Sequence, residues 1–353
     1  MKYISLFSGI GGFELGIIQA YENNIRSRNG NTQKRNGESD AFEQGMEATH
    51  EDTQRPRDTT STIFSGDSGS PLCVGYSEID KYATQIYQKH FPTHKNYGDI
   101  TKINETELPD FDLLVGGFPC QSFSIAGKRG GFSDTRGTMF FEIARILKHK
   151  QPRLLLLENV KGLLSHDEGR TFATIISTLD ELGYDLQWQV LNSKNFGVPQ
   201  NRERVFIVGH LRGTSRPEVF PIAGASETNN KTIGEGVTNT LTGRNAGNGN
   251  WRGNLIQKIG GSQGMRVYDS EGISTTIAGL AGGWGAKTGL YDIDTKIRRL
   301  TPTECMRLQG FPDNWCDGIS DTQKYKCAGN AVTVNVIQAI MEKLIIPTPT
   351  VDT

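Results

Sequence analysis

Four leucines in a row, Leu154-Leu155-Leu156-Leu157, stop at a carboxylate, Glu158. Successive strand residues point to opposite faces, so a strand that is apolar at every position needs cover on both sides. That is the condition of a central strand in a parallel sheet flanked by helices. The rest of the chain supplies such partners. Residues 4–7 form a short apolar run closed by Ser8-Gly9-Ile10-Gly11-Gly12, and a helical pattern follows at Phe13, Leu15, Ile17 and Ile18. The pattern predicts strands at 73–76 and 111–115, with a helix between them carrying Ala83, Ile86 and Tyr87. Helices are predicted over 139–148 and 172–182, then strands over 186–191 and 204–209. Strands and helices alternating to about residue 210 predict an α/β, Rossmann-like domain with a mostly parallel sheet.

Two stretches break this order. Residues 23–72 hold only Phe42 and Phe64 as aromatics, and their acidic residues outnumber the basic ones by eight to six. Such a composition buries too little apolar surface to offset chain entropy, so a solvated, partly disordered insertion is expected. Between 212 and 297 there are 17 glycines and helical periodicity is lost, which predicts a small, irregular, β-rich domain. Within it, 237–243 is echoed by 273–279. Basic residues exceed acidic ones by 11 to 7 between 211 and 300, the sign a DNA-facing surface needs. Thr301-Pro302-Thr303-Glu304 predicts a capped helix, 333–344 an amphipathic helix, and the tail at 346–353 is expected to be loose.

Composition excludes several classes. A net charge of -1 rules out a globally basic, histone-like binder. No apolar run reaches the ~18 residues of a membrane span, and the N-terminus lacks the pattern of a signal peptide. The five cysteines (73, 120, 305, 316 and 327) form no CxxC pair. Neither a disulfide framework nor a metal site is expected, and a cytoplasmic setting is.

Chemistry concentrates at the strand ends. The 7–13 turn has the glycines that let main-chain N–H groups approach a ligand, but it is not GxGxxG and carries no phosphate-loop lysine. Glu78 ends the second strand, where an acid can accept bonds from ribose hydroxyls, and Asp99 follows as a second candidate acceptor. Isolated acids of this kind are most often solvated. Their order here outlines an adenosine site. Cys120 follows Gly116, Gly117 and Pro119 at the edge where α/β sheets place ligands, a setting suited to an accessible nucleophile. Glu158 could donate a proton or hydrogen bond to a ring nitrogen. Alternation places Arg202 and Arg204 on one face, suited to a base carbonyl and a phosphate.

Residues 7–13, 116–124 with Pro119-Cys120-Gln121, Glu158-Asn159-Val160, 200–204 and Gly329-Asn330-Ala331-Val332 stand in a telling order. The chain resembles C5-cytosine DNA methyltransferases of bacterial or phage type over 1–22, 73–210 and 298–344. The resemblance implies that Phe7, Gly9, Gly11 and Gly12 cradle S-adenosylmethionine, whose product is S-adenosylhomocysteine. It gives Glu78 the ribose, Ile79 and the Asp99-Ile100 pair the adenine, and Pro119, Asn330 and Val332 further cofactor contacts. Cys120 becomes the nucleophile, Glu158 the acid at cytosine N3, Arg204 the group on the cytosine carbonyl, and Arg202 a second arginine beside them. Residues 1–211 then form the catalytic domain, 212–297 the target recognition domain, and 298–345 the return to the catalytic domain. The 23–72 insertion has no counterpart in the resemblance.

The implied reaction is addition of the Cys120 thiolate to C6, which makes C5 nucleophilic toward the cofactor's methyl group. Loss of the C5 proton and elimination of the thiol complete it, on a base flipped out of duplex DNA. Gln121, Ser124, Lys128, Arg129 and Arg136 are expected to close over the base and grip phosphate. A monomer is expected, with a separate restriction endonuclease as a functional companion. A tRNA cytosine methyltransferase, a catalytically silent DNA-binding relative and a nicotinamide oxidoreductase are the competing readings.

Overall fold

In the computed structural model, Lys2–Leu6 (β1), Leu72–Ser77 (β2), Leu113–Gly117 (β3) and Leu154–Val160 (β4) run parallel. Tyr184–Asn192 (β5) and Glu203–Leu211 (β6) form a hairpin whose second strand pairs antiparallel with β4. The six-stranded order is β2-β1-β3-β4-β6-β5. Residues 1–36, 70–119, 139–215, 217–222, 257–259, 267–269, 274–277, 290–293 and 296–345 are described. Cys120, Gln121, Ser124, Lys128, Arg129 and Arg136, the 237–243 echo and the 346–353 tail lie outside them.

The leucine run behaves as its pattern requires. Leu154 and Leu156 join Tyr3, Leu113 and Val115 on one face of the sheet. That face packs on Gly12–Asn36 (α1) and Val334–Ile345 (α7) through Ile17, Ala20, Ile337 and Ile340. Leu155 and Leu157 lie on the other face with Ile4, Leu6 and Leu114. Met139–Lys150 (α3) and Arg170–Glu181 (α4) cover it with Ile143, Ile146, Leu147, Ile175 and Leu179. A leucine-to-alanine change at such a fully buried position costs about 2–5 kcal/mol, because the cavity left behind relaxes only in part. The packing of α7 on α1 also returns the chain's C-terminal segment to its first domain.

A third core lies under the carboxyl edge of β1 and β2. Lys81–His90 (α2) contributes Ala83, Ile86 and Tyr87 to it, Pro302–Leu308 (α5) contributes Cys305 and Met306, and Asp321–Asn330 (α6) contributes Cys327 and Ala328. Asp80 caps α2, its Oδ1 accepting from the N–H groups of Tyr82 and Ala83. The expected cap at α5 is a full capping box between Thr301 and Glu304, with Pro302 in the first turn.

Some boundaries differ from expectation. The 23–72 segment begins as helix and not as irregular chain, because α1 continues through Asn36. Residues 23–28 are not buried, but residues 23–36 contain no proline, and a Glu22–Arg26 ion pair one turn apart supports the helix. Asn23 also donates to Glu342 of α7 at 2.8 Å. Helix α6 has no counterpart in the sequence reading. Its ten residues carry few apolar groups, and it is held by the third core.

Beyond residue 211 the described segments include a small sheet of Gln257–Ile259 (β7), Val267–Asp269 (β8), Leu290–Ile293 (β9) and Lys296–Arg298 (β10), in the order β10-β9-β8-β7. Residues 274–277, part of the second echo, dock on the catalytic domain. Ser274 donates to Pro199 O at 2.7 Å and accepts from Asn201 N at 2.9 Å, and Ile277 is buried.

Candidate active site at the carboxyl edge of the sheet

The 7–13 turn, Glu78, the end of β3 and Glu158 all lie at the carboxyl ends of parallel strands, where an α/β sheet opens a crevice at the strand-order reversal. Strand β6 runs the other way, so its start brings Arg204 opposite Val160 at the same edge.

The glycines of the turn do different jobs. A Cβ on Gly11 would lie 2.5 Å from Phe91, and one on Gly12 would lie 2.8 Å from Val332. Protein packs against both. Gly9, at φ +57°, has nothing within 4 Å of where its Cβ would be, so this one faces open space. Phe7 adopts φ 55°, a left-handed conformation unusual for a bulky residue, at the point where strand becomes turn. The Gly9 N–H donates to Glu78 Oε2 at 2.8 Å. The other oxygen of Glu78 accepts from the N–H groups of Ile79 and Asp80 at 2.9 and 2.7 Å.

Ile79 is 76% exposed, an apolar side chain standing open beside these polar groups. Asp99 caps a short 3-10 turn. Its Oδ1 accepts from the Thr101 N–H and hydroxyl, and those bonds hold its carboxyl below the usual range. Ile100 points the other way, into the core, so a ligand contact from this position falls to its main chain. Gly98, at φ +70°, also leaves open space where a Cβ would stand.

On the other side of β1, Glu158 Oε1 lies 3.0 Å from Arg204 Nε, with both side chains largely shielded from water. Glu158 Oε2 would be 3.0 Å from a Cβ on Gly117, so a glycine there clears room for the carboxylate. Asn159 donates to Phe118 O at 2.9 Å, tying the end of β4 to the segment that leads through the exposed Pro119 to Cys120.

Arg202 precedes β6 and is turned inward. Its guanidinium donates to the carbonyls of Ile277, Gly329 and Ala331 at 3.3, 3.1 and 2.8 Å. Burial, with Arg204 close by, pulls it down to about 9. It therefore joins the 274–277 segment to the 329–332 segment, in which Asn330 is exposed and Val332 packs on the glycine turn. The four cysteines among the described residues are buried, and burial raises the Cys73 and Cys305 thiols to about 12.

Sequence reasoning gave no role to Asn96 or to Gln200. Asn96 accepts from Gly98 N–H and donates to Glu78 O, which fixes the two acid-bearing segments side by side. Gln200, fully buried, donates to Leu308 O at 2.8 Å and accepts from Ile277 N–H at 3.3 Å. Its place in the motif was visible, but its partners lie 77 and 108 residues away.

The family model of C-5 cytosine-specific DNA methylases matches residues 67–346. The chain belongs to that family. This methylase is 42% identical to the Type II methyltransferase M1.ScrFI of Lactococcus lactis subsp. cremoris, across 80% of its own length and 77% of the relative's. It is 39% identical to M.HhaI of Haemophilus parahaemolyticus, with 76% and 86% covered, and 35% identical to M.NlaX of Neisseria lactamica, with 97% and 96% covered. Among solved structures, the S. pombe Dnmt2 methyltransferase matches with a TM-score of 0.63 at 17% identity, covering 98% of each chain, a likeness of fold. Family membership makes the methylase a DNA (cytosine-5-)-methyltransferase of restriction-modification type, and it sets the nicotinamide oxidoreductase reading aside. No described helix is long and apolar enough to cross a membrane, and no described group of three or more His, Cys, Asp or Glu side chains could hold a metal ion.

Proposed function

We propose that this methylase modifies C5 of a cytosine flipped out of a specific double-stranded DNA sequence, using Cys120 as nucleophile and S-adenosylmethionine as methyl donor. The observation that carries the reading is the Glu158–Arg204 pair at 3.0 Å, beside the segment that ends in Pro119-Cys120. A cytosine presents N3 and O2 next to each other, and a carboxylic acid paired with a guanidinium matches those two atoms.

The residues around the turn fit the donor. Gly9 and Gly98 leave open space, Glu78 presents a carboxylate for ribose hydroxyls, and Ile79 offers an exposed apolar surface for adenine. Asp99, the Ile100 main chain, Phe7, Pro119, Asn330 and Val332 complete the surround, while Gly11 and Gly12 let protein pack behind it. When bound, the cofactor supplies an electrophilic methyl group and leaves as S-adenosylhomocysteine.

The chain's own residues do the remaining chemistry. The Cys120 thiolate forms a bond to C6, and Glu158 holds a proton at N3 to accept the developing charge. Arg204 anchors O2, and Arg202 keeps its neighbour's strand in place. After methylation the C5 proton departs to a base and the Cys120–C6 bond breaks, which restores the ring. The other four cysteines are buried, so none of them competes for this role. Gln121, Ser124, Lys128, Arg129 and Arg136 close over the base and hold phosphate, while 212–297 reads the sequence. We take the enzyme to be a cytoplasmic monomer that protects DNA from a separate endonuclease.

The test is expression in a host free of C5-methylcytosine, followed by bisulfite sequencing of its DNA. One short sequence should resist conversion at one cytosine. Complete conversion, with labelled methyl appearing in tRNA, would instead establish the RNA-modifying alternative.

A further inference from the structure

The glycine turn is held from behind by a residue near the other end of the chain. The Trp315 indole N–H donates to Ile10 O at 2.8 Å, across 305 residues of sequence. Ile10 lies between Gly9, which faces open space, and Gly11, which packs on Phe91. Trp315 is itself fixed on several sides. Its ring stacks on His90 at 3.6 Å and 5°, meets Phe91 edge-on at 6.0 Å and Phe311 at 5.4 Å, and its carbonyl accepts from His90 Nε2 at 2.7 Å. Phe91 and Phe311 are also the rings nearest Gly11 and Gly12.

A glycine-rich turn has many accessible conformations, and a ligand that must order it pays that entropy on binding. A carbonyl in the middle of the turn, clamped by a rigid buried donor, removes much of that freedom in advance.

We propose that Trp315 is a positioning residue for the cofactor, its indole N–H holding the glycine turn in the ligand-ready path before the cofactor arrives. The inference rests on the turn being the S-adenosylmethionine cradle. Trp315 touches no substrate. It acts through Ile10, and it makes cofactor affinity depend on the segment that follows α5.

Isothermal titration of S-adenosylmethionine into the full-length enzyme tests this, because the fitted stoichiometry counts folded sites and the Kd is read on those alone. Trp315→Phe keeps an aromatic ring and deletes the donor. Its Kd should rise about five- to tenfold, the scale of one hydrogen bond in a binding constant, with KM for the cofactor rising in parallel and kcat at saturation within twofold. Tyr184→Phe deletes a comparable buried bond, to Pro152 O at 2.8 Å at the opposite edge of the sheet, and its Kd should stay within twofold of wild type. A Trp315→Phe Kd within twofold of wild type would overturn the proposal. Equal weakening in both variants would also overturn it, by tracing the effect to a general loss of buried bonding and not to the bond at Ile10. Failure of the wild-type enzyme to bind S-adenosylmethionine is a different outcome, and it would remove the cofactor reading itself.

Discussion

The two halves of the catalytic edge are built on opposite terms. On the cofactor side the groups stand apart around open space, with Gly9 and Gly98 unfilled and Ile79 76% exposed. Glu78 there spends its acceptors on three main-chain N–H groups, which fix it without covering it. On the base side the protein fills its own site. Glu158 and Arg204 are paired with little solvent access, and Arg202 beside them is fully enclosed. The first half is preformed for a ligand. The second is shut by an ion pair; on the proposed reading a cytosine re-engages its partners, so binding the base exchanges one set of buried bonds for another.

If the halves are separable in this way, their variants should fail differently. Glu158→Gln keeps the shape of the side chain but cannot supply a proton to N3. Single-turnover rates should fall at least about a hundredfold, while cofactor Kd stays within threefold. A matching loss of cofactor affinity would show that the two sides are one coupled unit. Glu78→Ala should do the reverse, raising cofactor Kd about 10- to 100-fold and leaving kcat at saturation within threefold. Equal loss of kcat there would erase the distinction between the halves.

A different kind of effect, on stability and not on turnover, concerns what lies beneath the cofactor side. Glu14 follows the turn and is fully buried, with Oε1 accepting from the Tyr87 hydroxyl at 2.9 Å. Burial lifts its carboxyl from 4.5 to about 7. The protonated acid is the form that suits this site, so its contribution is fully present below the ordinary value and is lost as pH rises through about 7. The loss is on the order of 3 kcal/mol in folding stability. Glu14→Gln mimics the neutral acid. Thermal melts should show it close to wild type at pH 5 and more stable at pH 8. A constant difference across that range would mean that Glu14 is not the titrating group.

How much of this was legible in the sequence follows the physics of each feature. The leucine run, the 7–13 turn and the Thr301 cap are local patterns, and each formed the element it predicted. The continuation of α1 to Asn36 was not legible because residues 23–36 carry one apolar side chain, Ile25, and the whole of α6 was not because its few apolar groups are held by partners distant in sequence. The positions of Glu158 and Arg204 were readable from the strand ends. Their ion pair was not, since it depends on β6 running antiparallel to β4. Alternation grouped Arg202 with Arg204, whereas Arg202 turns inward to three main-chain carbonyls before the strand begins. Trp315 carried no signal, because nothing in its own neighbourhood names Ile10 as its acceptor.

On the proposed reading both halves meet at Cys120, which holds the base covalently while the methyl group is delivered. Duplex DNA carrying 5-fluorocytosine at the methylated position should trap that state, because fluorine cannot leave C5 as a proton does. Incubation with S-adenosylmethionine followed by peptide mass spectrometry should place the DNA adduct on the peptide containing Cys120, with no adduct in Cys120→Ser. An adduct on Cys73, Cys305, Cys316 or Cys327, or undiminished methylation of ordinary DNA by Cys120→Ser, would contradict it.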